Sequence, residues 1–230
     1  MVLRRILANE KINDKLGEEG VQEILASMWP GDCQTCNRPL GDEPPALLVN
    51  DMIAFGTATL HHPSCQAPDW NDGSLHARPP GDFVSWRARV VMLPIFHGST
   101  PDPRPMLLVN PGLEMVMLHQ DDQKRWRVTA HSAFTAMGLR PPGDQLLLDR
   151  PLPNITGHST STTLSVRFQA IAPNDGYDAP AGAEYRQRAR ELGGFLLGIT
   201  HALDPNTLTA ENVQQTMVTS RIIMGWIALT

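Results

Sequence analysis

The chain has only three cysteines, an odd count and too few for a disulfide framework. It has no run of about 18 apolar residues, so no membrane-spanning helix is expected. Residues 1–7 carry Arg4 and Arg5 with no apolar stretch behind them, which is not the pattern of a secretory signal. Positive charge is short: 19 Lys and Arg stand against 24 Asp and Glu, for a formal net charge of −5. That balance argues against tight non-specific binding to a phosphate backbone, which needs a basic surface. Internal repeats and long low-complexity tracts are missing as well.

What is present is ordinary for a folded domain. The 230 residues are 41% hydrophobic and 19% charged, enough apolar material for a sizeable core in one or two domains. Twenty prolines and eighteen glycines imply many turns. Val21, Ile24, Leu25 and Met28 fall at i, i+3, i+4 and i+7, which predicts an amphipathic helix over residues 18–28, stopped by Pro30-Gly31. Residues 46–49 and 53–59 read as two strands joined by a turn at Asn50-Asp51. Residues 68–82, rich in Pro, Asp, Asn and Gly, read as a linker.

Beyond the linker, alternation from Val84 to Met92 predicts a strand with Arg87 and Arg89 on its outer face. A proline-rich loop over residues 99–105 follows, then short apolar runs at 106–109 and 113–119. A polar turn at 121–124 leads into a return strand in which Trp126 and Val128 alternate with Arg125 and Arg127. Residues 146–148 and 163–172 read as further strands. Tyr185, Ala189, Leu192, Leu196, Ile199 and Leu203 are spaced 4, 3, 4, 3, 4, which predicts a helix of about five turns. Gly193, Gly194 and Gly198 within it imply close approach of another backbone. Thr209 reads as the N-cap of a second helix over residues 211–229, with Leu208 and Val213 as a hydrophobic staple.

The three cysteines fall in one segment with two histidines. Cys33-Gln34-Thr35-Cys36, 25 intervening residues, then His62-Pro63-Ser64-Cys65 make C-x2-C followed by H-x2-C. Two tightly spaced pairs of soft ligands suit a tetrahedral Zn2+ ion, and a hairpin between them can bring the second pair back to the first. Cys33, Cys36, His62 and Cys65 are the expected ligands, with His61 the alternative to His62. Three thiolates and one imidazole close the coordination shell, which points to a structural rather than a catalytic metal. One base, Arg38, stands against Asp42, Glu43, Asp51, Asp69 and Asp72 between residues 33 and 72. Such an acidic segment suits packing on protein better than gripping phosphates.

Over residues 32–69 this pattern resembles the first half of a LIM finger and, more broadly, a treble-clef zinc finger, chiefly through the His-Pro-x-Cys closure. The resemblance implies a single zinc site whose second ligand pair opens a short helix. The second zinc site of a LIM domain has no counterpart, since no cysteine follows Cys65.

Three weaker constellations complete the survey. Gly157-His158-Ser159-Thr160-Ser161 approaches a nucleophile elbow but lacks its final glycine, and a strand follows it where the elbow needs a helix. Glu114, His119 and His131 lie on the arms of one expected hairpin, where a carboxylate–imidazole pair could serve acid–base chemistry or simply pair across strands. Arg87, Arg89, Arg125 and Arg127 would make a basic face if they shared a sheet.

The expectation is an α+β chain: a small zinc-binding module followed by a mainly antiparallel β-sheet with two C-terminal helices. Its parts are an N-terminal helical segment (1–31), the zinc module (32–72) and an α+β domain (83–230). The leading functional expectation is a zinc-stabilised protein-interaction or regulatory component of the cytoplasm with a protein partner. The alternatives are an enzyme whose site lies in the β-rich part, and a nucleic-acid binder using the arginine face.

Overall fold

The structure is a computed structural model and describes residues 5–53, 55–72, 87–97, 100–113, 115–129, 132–143, 150–168, 176–202 and 208–230. The chain is mixed α+β and divides into two compact units, Met1–Ser85 with Pro111–Ala130, and Trp86–Asn110 with His131–Thr230. Among the described residues no helix is long and apolar enough to cross a membrane. Residues 84–86, 146–148 and 169–172, read above as strand, lie outside the described residues, as does most of the linker.

The first unit begins with helix α1 (Glu10–Ser27). The Asn9 side chain caps it by accepting from the Ile12 amide at 2.9 Å. Gly17 at φ +66° breaks it into two stretches, the second being the helix expected from the Val21–Met28 stripe. Ile12, Leu16 and Ile24 bury its inner face. That face packs on a five-stranded sheet ordered β3-β1-β2-β6-β7, built from β1 (Ala46–Asp51), β2 (Gly56–His61), β3 (Asp69–Asp72), β6 (Met115–Gln120) and β7 (Trp126–Val128). The hairpin expected at 46–59 is β1 and β2, in register from Ala46↔His61 to Asp51↔Gly56. Leu47, Val49, Ala58, Leu60, Val116 and Leu118 fill the core with Trp70 and Trp126, whose rings meet edge to face at 5.5 Å.

The turn between β6 and β7 is held by one carboxylate. Asp121 accepts the backbone N–H of Gln123 and of Arg125, each at 2.9 Å, and pairs with the Arg125 guanidinium. The Arg125 backbone hydrogen bond is the largest cause that brings the Asp121 pKa down to about 2. Arg127 is engaged by Glu19 and Glu23 of α1 at 2.7 and 2.9 Å, as well as by Asp121.

The second unit holds two sheets. One has the order β12-β11-β5-β4, from β4 (Ala88–His97), β5 (Thr100–Val109), β11 (Gly194–Ile199) and β12 (Ile223–Ala228). The other has the order β10-β9-β8, from β8 (Ile155–Ser159), β9 (Thr163–Phe168) and β10 (Gly176–Pro180). Three helices accompany them: α2 (Ser132–Ala136), α3 (Ala183–Leu192) and α4 (Ala210–Val218). Both faces of the four-stranded sheet are covered. Leu107, Val109, Phe195, Leu197, Ile199 and Ile227 pack with Ile155, Leu164, Val166 and Phe168 of the three-stranded sheet. Met106, Leu108, Leu196, Met224 and Trp226 pack on the opposite side with Val213 of α4.

Three expectations are corrected in this unit. The stripe from Tyr185 to Leu203 is not one helix: α3 stops at Leu192, where Gly193 caps it at φ +71°, and residues 194–199 become β11. All six β11 residues are buried, because this strand is central and covered on both faces; its run of Phe195, Leu196, Leu197 and Ile199 therefore carries no period of two. The second helix likewise stops at Val218, and the apolar end of the chain is β12, paired with β11 from Gly194↔Ala228 to Ile199↔Ile223. Its N-cap is Thr209 as expected, in a capping box with Asn212. Thirdly, residues 100–105 are strand rather than loop. Pro101, Pro103 and Pro105 share one parity in β5, so their missing N–H groups fall on the side away from β4 and leave that ladder intact.

Lowering the pH tests the Asp121 turn. Its folded pKa of about 2 lies below the ordinary carboxylate value of about 3.9. The stabilisation it contributes is complete above pH about 4 and is lost as pH falls towards about 2. Urea denaturation of Asp121→Asn should therefore show a shallower loss of stability across that window than the unsubstituted chain. Gly157 tests the packing of the second unit: a Cβ there would meet Phe195 Cε1 at 2.8 Å and the Ala228 carbonyl at 3.0 Å. Gly157→Ala should cost about 1–3 kcal/mol in the same measurement.

Candidate metal centre

The first ligand pair sits on a tight loop closed by the backbone. Cys33 N–H donates to Arg38 O and Asn37 N–H to Cys33 O, both at 2.9 Å, while Asp32 and Pro39 pair as an isolated bridge. Asn37 adopts φ +58°, a conformation asparagine tolerates better than most residues, and turns the chain back after Cys36. The loop is tied to the hairpin by Gln34 N–H donating to Leu60 O at 2.9 Å. Since β2 ends at His61, the next residue, His62, emerges beside Cys33. A turn in which Cys65 N–H donates to His62 O at 2.9 Å then brings round the last sulfur.

Cys33, Cys36, His62 and Cys65 thus come together, with all four candidate ligand atoms within 4.8 Å of one another, and the group could hold a metal ion. No disulfide joins the cysteines. Cys33 is fully buried; Cys36, His62 and Cys65 are partly exposed. His62 Nδ1 lies 3.4 Å from Cys36 Sγ and 3.8 Å from Cys65 Sγ. On its other side Nε2–H donates to Pro39 O at 2.9 Å. That bond leaves the Nδ1 lone pair facing the sulfurs, the arrangement in which a backbone carbonyl orients a metal-ligating imidazole.

His61 has a different role. It is buried, with Nδ1 2.8 Å from Thr35 Oγ1 and Nε2 2.9 Å from Thr59 Oγ1. Both ring nitrogens are occupied away from the sulfurs, so the geometry favours His62 over its neighbour. The period of two along β2 explains this: successive side chains point to opposite faces.

Electrostatics favour thiolate at Cys36 and oppose it at Cys65. Burial opposes the charge on Cys36, but hydrogen bonds from the Arg38 backbone and guanidinium, then from His62 and Cys33, outweigh it and bring the pKa down to about 6. Cys65 is pushed up by burial and by the neighbouring sulfurs. Arg38, the one base of this segment, is itself raised by its hydrogen bond to Cys36 and by the charge of all three cysteines.

The short helix that the LIM resemblance implied after the second ligand pair is not formed. The chain makes one turn at residues 63–65 and passes through Gln66 and Ala67 to β3, which pairs parallel with β1. Pro68 disfavours helix at Ala67, and burial of Trp70 holds the following strand on the sheet.

Among the described residues, the other sequence candidates do not converge on a site. Glu114 and His131 lie outside the described residues. His119 Nδ1 is 3.2 Å from Thr129 Oγ1, an ordinary contact across paired strands. Gly157, His158 and Ser159 belong to β8, which runs into a turn and then β9, so no strand–helix elbow exists there. A cavity of about 440 Å³ in the second unit is lined by Arg89, Met92, Tyr185 and Leu208, not by Ser159. Arg87 and Arg89 go with β4 in the second unit, Arg125 and Arg127 with β7 in the first, so the four do not share a sheet. Comparison with family models, with curated proteins and with solved structures gives no match for this chain.

Two histidine variants separate the ligand from its neighbour. His62→Ala should abolish stoichiometric metal binding. His61→Ala should keep the metal while losing about 1–3 kcal/mol of stability through its two buried hydroxyl partners. Metal analysis and chemical denaturation of both variants read the two effects independently.

Proposed function

We propose that the chain is a zinc-stabilised protein-interaction or regulatory component, with one structural Zn2+ held by Cys33, Cys36, His62 and Cys65. The convergence of three sulfurs and one oriented imidazole is the observation that carries this reading. Three soft thiolates with a single imidazole select zinc over the hard oxygen-seeking cations. Four protein ligands leave no position for a reactive water, so the metal would act on stability rather than on a substrate. The filled site would carry a net charge of about −1, offset by the Arg38 guanidinium against Cys36. Free thiols held for metal fit the reducing cytoplasm.

The interaction part of the reading rests on the tip of the β1–β2 hairpin in the same unit. Ile53 is 87% exposed and Phe55 41% exposed. Ile53 also holds φ +71°, a left-handed conformation that a β-branched residue rarely adopts. Strain and apolar exposure at one tip are what a contact point for a protein partner displays.

Protein purified without chelator should carry one zinc per chain by metal analysis. Cys36→Ser should lose it and melt at a lower temperature. A chain that contains no zinc, or whose melting is insensitive to chelation, is incompatible with the metal role. For the partner role, Ile53→Asp should abolish recovery of a specific partner while leaving zinc content and melting temperature unchanged. A chain that recovers no partner at all is incompatible with it.

A further inference from the structure

The three sulfurs of the cluster are chemically unequal. Cys33 is fully buried and accepts two backbone N–H···S bonds, from Thr35 at 3.4 Å and from His62 at 3.3 Å. Those bonds draw on its lone pairs, and its place beside the Asp32–Pro39 bridge fixes it to the loop base. Cys36 and Cys65 are partly exposed and lie on two surface turns, residues 34–36 and 63–65. An oxidant arriving from solvent meets these two first, since thiol oxidation follows exposure. Their sulfurs already lie within 4.8 Å, so a movement of the two turns is enough to join them.

We infer that the site, on the reading of it as a zinc site, is also a redox site at which a hydroperoxide links Cys36 to Cys65 and releases the metal. The steps balance with hydrogen peroxide as oxidant. One exposed thiolate attacks a peroxide oxygen; the O–O bond breaks, the sulfur becomes a sulfenic acid, and the departing hydroxide takes a proton to leave as water. The second exposed thiolate attacks that sulfur, forming the S–S bond and expelling a second hydroxide, again protonated to water. Two thiolates, one peroxide and two protons thus give one disulfide and two waters. Cys33 and His62 remain, half of the four ligands a structural zinc requires. The new bond still joins the two turns, so the oxidised chain keeps a covalent tie where the metal had been.

The test uses the full chain with its zinc content measured beforehand. Hydrogen peroxide is added, released zinc is followed with a chromogenic chelator, and the disulfide is mapped on peptides after digestion. One zinc released per disulfide, a map linking Cys36 to Cys65, and recovery of bound zinc on adding dithiothreitol with zinc are the expected results. Alkylation of the zinc-loaded chain should mark Cys36 and Cys65 before Cys33. Zinc retained with all three thiols intact, under peroxide that fully oxidises free cysteine, overturns the redox role and leaves the structural zinc standing. A map that places Cys33 in the disulfide overturns it too. A chain without zinc before peroxide is added overturns the metal reading itself, and this one with it.

Discussion

The pairing of β1 with β2 positions the Cys3His group that could hold a metal ion. With Ala46 opposite His61, β2 ends where its last residue turns inward and the next one faces the cysteine loop. A slip of β2 by one residue would turn His61 to the opposite face and away from Thr35. The hydrogen bond from Gln34 to Leu60 then locks the loop to this register. Ala58 and Leu60, buried with Leu47 and Val49 of β1, oppose the slip because it would turn them out of the interior. Packing of an apolar core thereby sets the geometry of a polar site.

Charge is distributed in keeping with this arrangement. The first unit is acidic around its sulfurs, yet the single base of the segment, Arg38, is spent on Cys36. Arg127 is neutralised by Glu19, Glu23 and Asp121, and Lys11 and Lys15 by Asp72. Lys11, Lys15 and Arg127 thus tie α1 to strands of the sheet. Salt bridges of this exposed kind contribute little individually; their effect is to fix the approach of α1 to the sheet.

The legible parts of the sequence were those where local chemistry and tertiary packing agree. The stripe from Val21 to Met28, the polar turn at 121–124 and the Thr209 cap form where expected; the hairpin forms too, but Asn50 and Asp51 end β1 and its turn lies just beyond them. The ligand spacing likewise announced a group that the fold does bring together. Reading failed where burial on both faces erased periodicity. Leu192, Leu196 and Ile199 satisfy helical spacing by coincidence, since every β11 position is apolar. Gly193 was the available signal of a helix end, a glycine at φ +71° after Leu192, and the continued apolar run obscured it. The prolines of β5 misled in the opposite sense, because their harmlessness depends on which neighbour each edge has.

The sequence by itself determined the ligand types, their spacing and the acidity around them, since these are properties of covalent order. It also determined the helices that local capping and periodicity specify. Only the tertiary structure places His62 rather than His61 beside the sulfurs, because that placement depends on strand register. Only the tertiary structure shows that Arg89 and Arg127 do not share a sheet, because β4 and β7 join different sheets. Residues 194–199 and 223–228, which read as helix, became paired strands of one sheet for the same reason. Strand pairing is a long-range interaction, and nothing in a local run of residues states who its neighbours are.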